Sequence, residues 1–221
     1  MSPYAPLIVA LLLVGADAPA QPAHHQHKLG HHRFQDAEKW ARVFESPERD
    51  RWQKPKQVLA VLQIKPTMKV AEIGSGTGYF IVRMARQVAR GKAYGVDIEA
   101  DMVQYLARRA KQERLPNLAS VLGAADDPRI PEPVDLILLC DTYHHIDQRT
   151  RYFRRLADRL RPGGRLVIVD FKQGKLPVGP PESMRVAPAQ LRKELSAAGY
   201  RETALDTRTL PYQYIAVFQS R

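Results

Sequence analysis

Glycines at 74, 76 and 78 follow Glu72 and enclose Ser75 in the stretch VAEIGSGTGY, residues 70–79, between the apolar run MKVAEI and an amphipathic segment. Strand, glycine loop and helix in that order let the backbone turn sharply and approach a nucleotide-bearing ligand closely. A dinucleotide fingerprint would place its third glycine at position 79. Tyr79 stands there instead, which disfavours a pyrophosphate cradle and a nicotinamide oxidoreductase. Asp97 closes the next apolar run, KAYGVD, where a carboxylate can accept hydrogen bonds from both hydroxyls of a ribose. A third cluster, CDTYHHID at 140–147, follows the run VDLILL and offers Asp141, Tyr143, His144 and His145 as acceptors, donors and groups that titrate near neutrality.

The elements that must position these residues alternate along the chain. After Pro66 the apolar runs MKVAEI, KAYGVDI, LASVLGA, VDLILLC and RLVIVDF are separated by helical patterns over 77–89, 100–114 and 147–160. A further helix, 187–198, precedes two closing strands, YRETALDTRTL and YQYIAVFQ. Parallel strands need crossover connections. The pattern therefore predicts an α/β fold: a doubly wound, seven-stranded, mostly parallel sheet with helices on both faces and a C-terminal antiparallel hairpin. In such a sheet 140–147 falls at the carboxyl edge, where ligands bind. Upstream, DAEKWARVFE reads as a helix capped by Asp36, SPERDRWQKP as an interruption, and 56–63 as a second helix of an arm covering one side of the cofactor site.

Glu72 with Gly74, Gly76 and Gly78 resembles the E/D-x-G-x-G-x-G motif of class I S-adenosylmethionine-dependent methyltransferases, and the similarity extends over about 54–218. LRPGGRLVIVD, 160–170, is similar to that family's turn and fifth strand. The resemblance implies S-adenosylmethionine as cofactor, Asp97 as the ribose carboxylate and Asp126, after Gly123, at the adenine amino group. Ile98 and Met102 lie near the ribose end, either as core or against the cofactor. Methyl transfer is an in-line displacement that needs alignment above all. A base is required only where the acceptor must lose a proton, so His144 or His145 either takes that proton or shapes the pocket. Tyr212 and Tyr214 either line the acceptor side or pack the sheet.

A chain of 221 residues with 44% apolar and 26% charged content is sized for one catalytic domain, expected over 34–221. A single cysteine, Cys140, excludes an internal disulfide and a cysteine zinc cluster. The net charge of +11 draws on Arg149, Arg151, Arg154, Arg155, Arg159 and Arg161 along one helix. No RNA-reading motif accompanies them, so the expected acceptor is a small molecule, with an RNA or protein acceptor, or cofactor binding without catalysis, as rivals. Residues 1–20 resemble an export signal, with the apolar run APLIVALLLVGA too short to span a membrane; export is the expectation and a cytoplasmic location its alternative. Five histidines, 24, 25, 27, 31 and 32, crowd the segment 21–33 without a fixed geometry, and no metal site is assigned to them.

Overall fold

The computed structural model describes residues 36–220; the export signal expected at 1–20 and the histidine tract at 21–33 lie outside the described residues. Among those described, no helix is long and apolar enough to cross a membrane and no metal-holding cluster of His, Cys, Asp or Glu occurs.

Seven strands form one sheet: β1 (Lys69–Ile73), β2 (Lys92–Asp97), β3 (Leu118–Leu122), β4 (Val134–Cys140), β5 (Leu160–Phe171), β6 (Tyr200–Asp206) and β7 (Gln213–Ser220). Their order is β3-β2-β1-β4-β5-β7-β6. The first five are parallel, while β7 runs antiparallel to both β5 and β6. The order reverses at β1, which pairs with β2 on one side and β4 on the other, so a crevice opens beyond the carboxyl ends of these strands. Gly74 and the loop after Asp97 stand on one side of that point, and residues 140–147 on the other.

Two apolar layers sandwich the sheet. One packs Ala71, Ile137 and Ile168 against α6 (Arg149–Leu156) and α7 (Pro188–Ala197) through Phe153, Leu156, Leu191 and Leu195. The other packs Val70, Leu138 and Val167 against α3 (Pro55–Leu62), α4 (Ile81–Gln87) and α5 (Ala100–Gln112) through Val58, Leu62, Met84 and Leu106. Alternate residues of one strand serve opposite layers, as a pleated strand buried on both faces requires.

The arm departs from expectation in one place. After α1 (Ala37–Phe44), capped by the Asp36 carboxylate accepting from Lys39 N at 3.1 Å, the supposed interruption folds as α2 (Pro47–Gln53). Ser46 accepts from Glu48 N, Pro47 occupies the first turn, and Glu48 and Asp50 complement the helix N-terminus. Pro47 thus initiates a helix within the stretch read as an interruption. Helix α4 is also shorter than expected, because residues 77–80 remain in a turn after the glycine loop, and α6 gives way to a single 3-10 turn over Ala157–Arg159.

Candidate functional site

The glycine loop is pinned before any ligand is considered. Gly74 N and Ser75 N both donate to Val96 O, at 2.8 and 3.0 Å, and Gly76 N donates to Asp97 Oδ2 at 2.8 Å. Gly74 has φ +72°, and a Cβ there would stand 2.3 Å from Thr142 Oγ1, so the β1 loop and the loop after β4 close on each other only with glycine at this position. Asp97 also accepts from Glu99 N at 3.0 Å, leaving lone pairs for two ribose hydroxyls. Burial raises its carboxyl above the usual range, against the pull of these N–H groups. Ile98, next to it, is 53% exposed, whereas Met102 is buried at 1%. Thus Ile98 can offer an apolar surface to a ligand, and Met102 belongs to the interior.

Beneath the loop, Glu72 is 3% exposed and its Oε2 has no partner; Ser75 Oγ, also buried, has none. Burial pushes the Glu72 carboxyl up to about 8, although Arg49 opposes the shift. Unpartnered buried polar atoms cost about 1–3 kcal/mol each. Glu72 and Ser75 are thus suited to a ligand with donors of its own, and a positively charged one would suit Glu72 best.

The arm clasps this loop. The Phe44 ring lies 3.5 Å from where a Cβ on Gly76 would stand, and Thr77 Oγ1 donates to Glu45 Oε1 at 2.8 Å. Tyr79 donates its hydroxyl to Asp50, and the guanidiniums of Arg49 and Arg83 lie over its ring at 4.0 and 4.1 Å. Arg49 donates to Phe44 O and Gln53 Oε1, both at 3.2 Å, and pairs with Asp141 Oδ2 at 3.2 Å. Gln213 of β7 donates to the other oxygen of Asp141 and accepts from Gln53. Asp141, at φ +57°, is therefore a structural hub, and burial pushes its carboxyl up to about 6.

On the opposite face of the sheet, His144 is 6% exposed and Asp170, at the carboxyl end of β5, is 0% exposed. Nδ1 of His144 donates to both carboxylate oxygens, at 3.0 and 3.1 Å. Burial disfavours a charged ring, but the bond to Asp170 and the charges of Asp170 and Asp141 outweigh it, so the imidazole titrates above its ordinary value. His145 is half-buried, its ring 4.2 Å from that of His144.

One expectation is corrected. Tyr143 is fully buried, stacked on Phe153 at 5.1 Å and donating to Glu194 Oε2 at 2.6 Å, so its hydroxyl braces α7 rather than facing a ligand. Asp126 has a side chain 78% exposed and paired with Arg155 of α6 at 3.4 Å. Tyr214 likewise spends its hydroxyl on Val186 O, at 2.9 Å, while Tyr212 is half-buried 6.4 Å from Trp52. The sequence reading passed over Arg49, Gln53, Asp170 and Gln213. Asp170 carried the same signal as Asp97, an acid ending an apolar run, whereas nothing in the pattern around Gln53 or Gln213 marks a buried amide.

Residues 70–164 match the methyltransferase-domain family. Those residues carry a methyltransferase domain, in line with the class I S-adenosylmethionine-dependent methyltransferases that the glycine loop resembles. It is 26% identical to protein-L-isoaspartate O-methyltransferase of Pyrococcus horikoshii over 50% of this chain and 48% of that protein. It is 28% identical to an aklanonic acid methyltransferase of Streptomyces sp. (strain C5) over 58% of this chain and 60% of that one. The methyltransferase domain thus spans only part of the length of these curated relatives. A solved S-adenosylmethionine-dependent methyltransferase from Aquifex aeolicus shares the fold, with TM-score 0.76 and 24% identity across 83% of this chain and 97% of that one.

Proposed function

We propose that this protein transfers a methyl group from S-adenosylmethionine to a small-molecule acceptor. The reading rests on one arrangement: a glycine loop tied to Asp97, above a buried Glu72 whose Oε2 lacks a partner and a buried Ser75 hydroxyl that also lacks one. Asp97 would hold the ribose, Ile98 the adenine face, and Glu72 and Ser75 the polar donors of the methionine portion. When bound, S-adenosylmethionine supplies an electrophilic methyl on a sulfonium. The chain's own contribution is to fix the loop, exclude water under Phe44 and the arm, and align the acceptor at the ends of β4 and β5.

A small acceptor is favoured because the basic helix is engaged with the protein itself. Arg149 pairs with Glu194, Arg155 with Asp126 and Arg161 with Asp135, and Arg154 donates to Ala197 O. Calorimetry tests the cofactor assignment. S-adenosylmethionine should bind the wild type, and Asp97→Ala should weaken it at least about tenfold, since a hydrogen bond to a charged group contributes about 1.5–3 kcal/mol. Unchanged affinity in Asp97→Ala would remove the basis for this reading.

A further inference from the structure

The pair formed by His144 and Asp170 does nothing for cofactor binding as described above, and it is expensive to keep. Removing an imidazole and a carboxylate from water is repaid only by good geometry, and apolar side chains would fill the same space at no such cost. Its position points to a use. His144 follows β4 and Asp170 ends β5, side by side at the carboxyl edge where open α/β sheets bind ligands. A carboxylate can only accept, so the proton of the neutral ring is fixed on Nδ1 and the lone pair on Nε2. Phe171 N donates to the same carboxylate at 2.8 Å, which holds Asp170 in place.

Two of the other candidate groups are occupied. Asp141 is held by Arg49 and Gln213, and Tyr143 by Glu194. The charged and titratable groups acting on His144 are Asp170 from β5, Asp141 from the loop after β4 and Arg149 from α6, with His145 beside it in sequence.

Resting on the methyltransferase reading, we propose that His144 takes the proton of the acceptor during transfer, that Asp170 is its positioning residue, and that the acceptor is therefore a hydroxyl or amine rather than a carboxylate. The bond from the acceptor oxygen or nitrogen to the methyl carbon forms as the carbon–sulfur bond breaks, the electron pair staying on sulfur as the thioether of S-adenosylhomocysteine. The acceptor's proton passes to Nε2 of His144 and then to water, and Asp170 stabilises the imidazolium meanwhile. A carboxylate acceptor has no proton to give, and the charges of Asp170 and Asp141 would repel it.

The test uses the full chain with labelled histidine, S-adenosylhomocysteine and sinefungin, whose ammonium replaces the sulfonium. If neither ligand binds, the methyltransferase reading itself fails. Where both bind, nuclear magnetic resonance titration should place the His144 pKa about one unit or more lower with sinefungin than with S-adenosylhomocysteine, because a positive charge at the methyl position disfavours a protonated ring nearby. A histidine with a merely structural role would titrate alike in both complexes, and that result would overturn the proposal. Asp170→Asn should move the proton to Nε2 and lower the pKa, with Asp170→Glu restoring both. The labelled product made from tritiated S-adenosylmethionine and a cell extract of small molecules decides the acceptor. A base-stable methyl supports a hydroxyl or amine; a methyl released by alkali as volatile methanol marks a carboxyl ester and refutes it.

Discussion

Glu72 keeps a proton in the ligand-free protein, because burial pushes its carboxyl up to about 8 from an ordinary 4.5. Between those values the folded chain holds a proton that the unfolded chain has released, so this residue's contribution to stability is lost as pH rises through the window. Thermal unfolding should accordingly show Tm falling from about pH 5 to about pH 8, with a shallower fall in Glu72→Gln. A bound sulfonium would draw the carboxyl down, so S-adenosylmethionine should release more protons on binding at neutral pH than S-adenosylhomocysteine does. Calorimetry in buffers of different ionisation heat reads this difference directly. Gly78 makes a purely steric prediction. Its φ is +103°, and a Cβ would stand 2.6 Å from Leu106 Cδ1. Gly78→Ala should cost about 1–3 kcal/mol and lower Tm without any change in charge.

Helix α2 touches the glycine loop through Tyr79, the end of β4 through Asp141, and β7 through the bond between Gln53 and Gln213, and all of these contacts are polar. Arg49→Ala removes the ion pair and leaves Asp141 with Gln213 alone, so a loss of about 2 kcal/mol is expected in chemical denaturation, together with weaker cofactor binding. The same element shows where the sequence was legible and where it was not. Runs such as VDLILL and RLVIVDF carry period and length signals that survive folding, which is why the sheet, its order of helices and the antiparallel end were readable. Helix α2 is seven residues, has no apolar stripe, and is stabilised by capping and distant polar partners. Such partners are not visible in a local window. For that reason Asp97 and the glycine loop could be found from their spacing, while Arg49, Gln53 and Gln213 became visible only when three separate elements met. Around Asp126 the loop after β3 folds into a tight bridge between Ala124 and Asp127, and the Asp126 side chain pairs with Arg155 of α6, neither of which a local window shows.

At the scale of the whole molecule, the charge of +11 would suggest attraction to polyanions. With most arginines of α6 engaged by protein partners, turnover should be nearly unchanged between about 50 and 200 mM salt, whereas six to ten phosphate contacts would cost about 10³–10⁵ in affinity over that range. An initial-rate series against salt checks this. The position of β7 bears on how the chain is made. Synthesis delivers β1 to β5 in an order that lets each parallel strand find its neighbour, but β5 acquires its second neighbour only after α7 and β6 have been added and β7 follows. Until then a nascent chain presents the apolar stretch LVIVDF along an open edge, the kind of surface that recruits chaperones or seeds aggregation. Stalled or prematurely ended translation after β5 should therefore yield insoluble product, even though every residue of the glycine loop is already present.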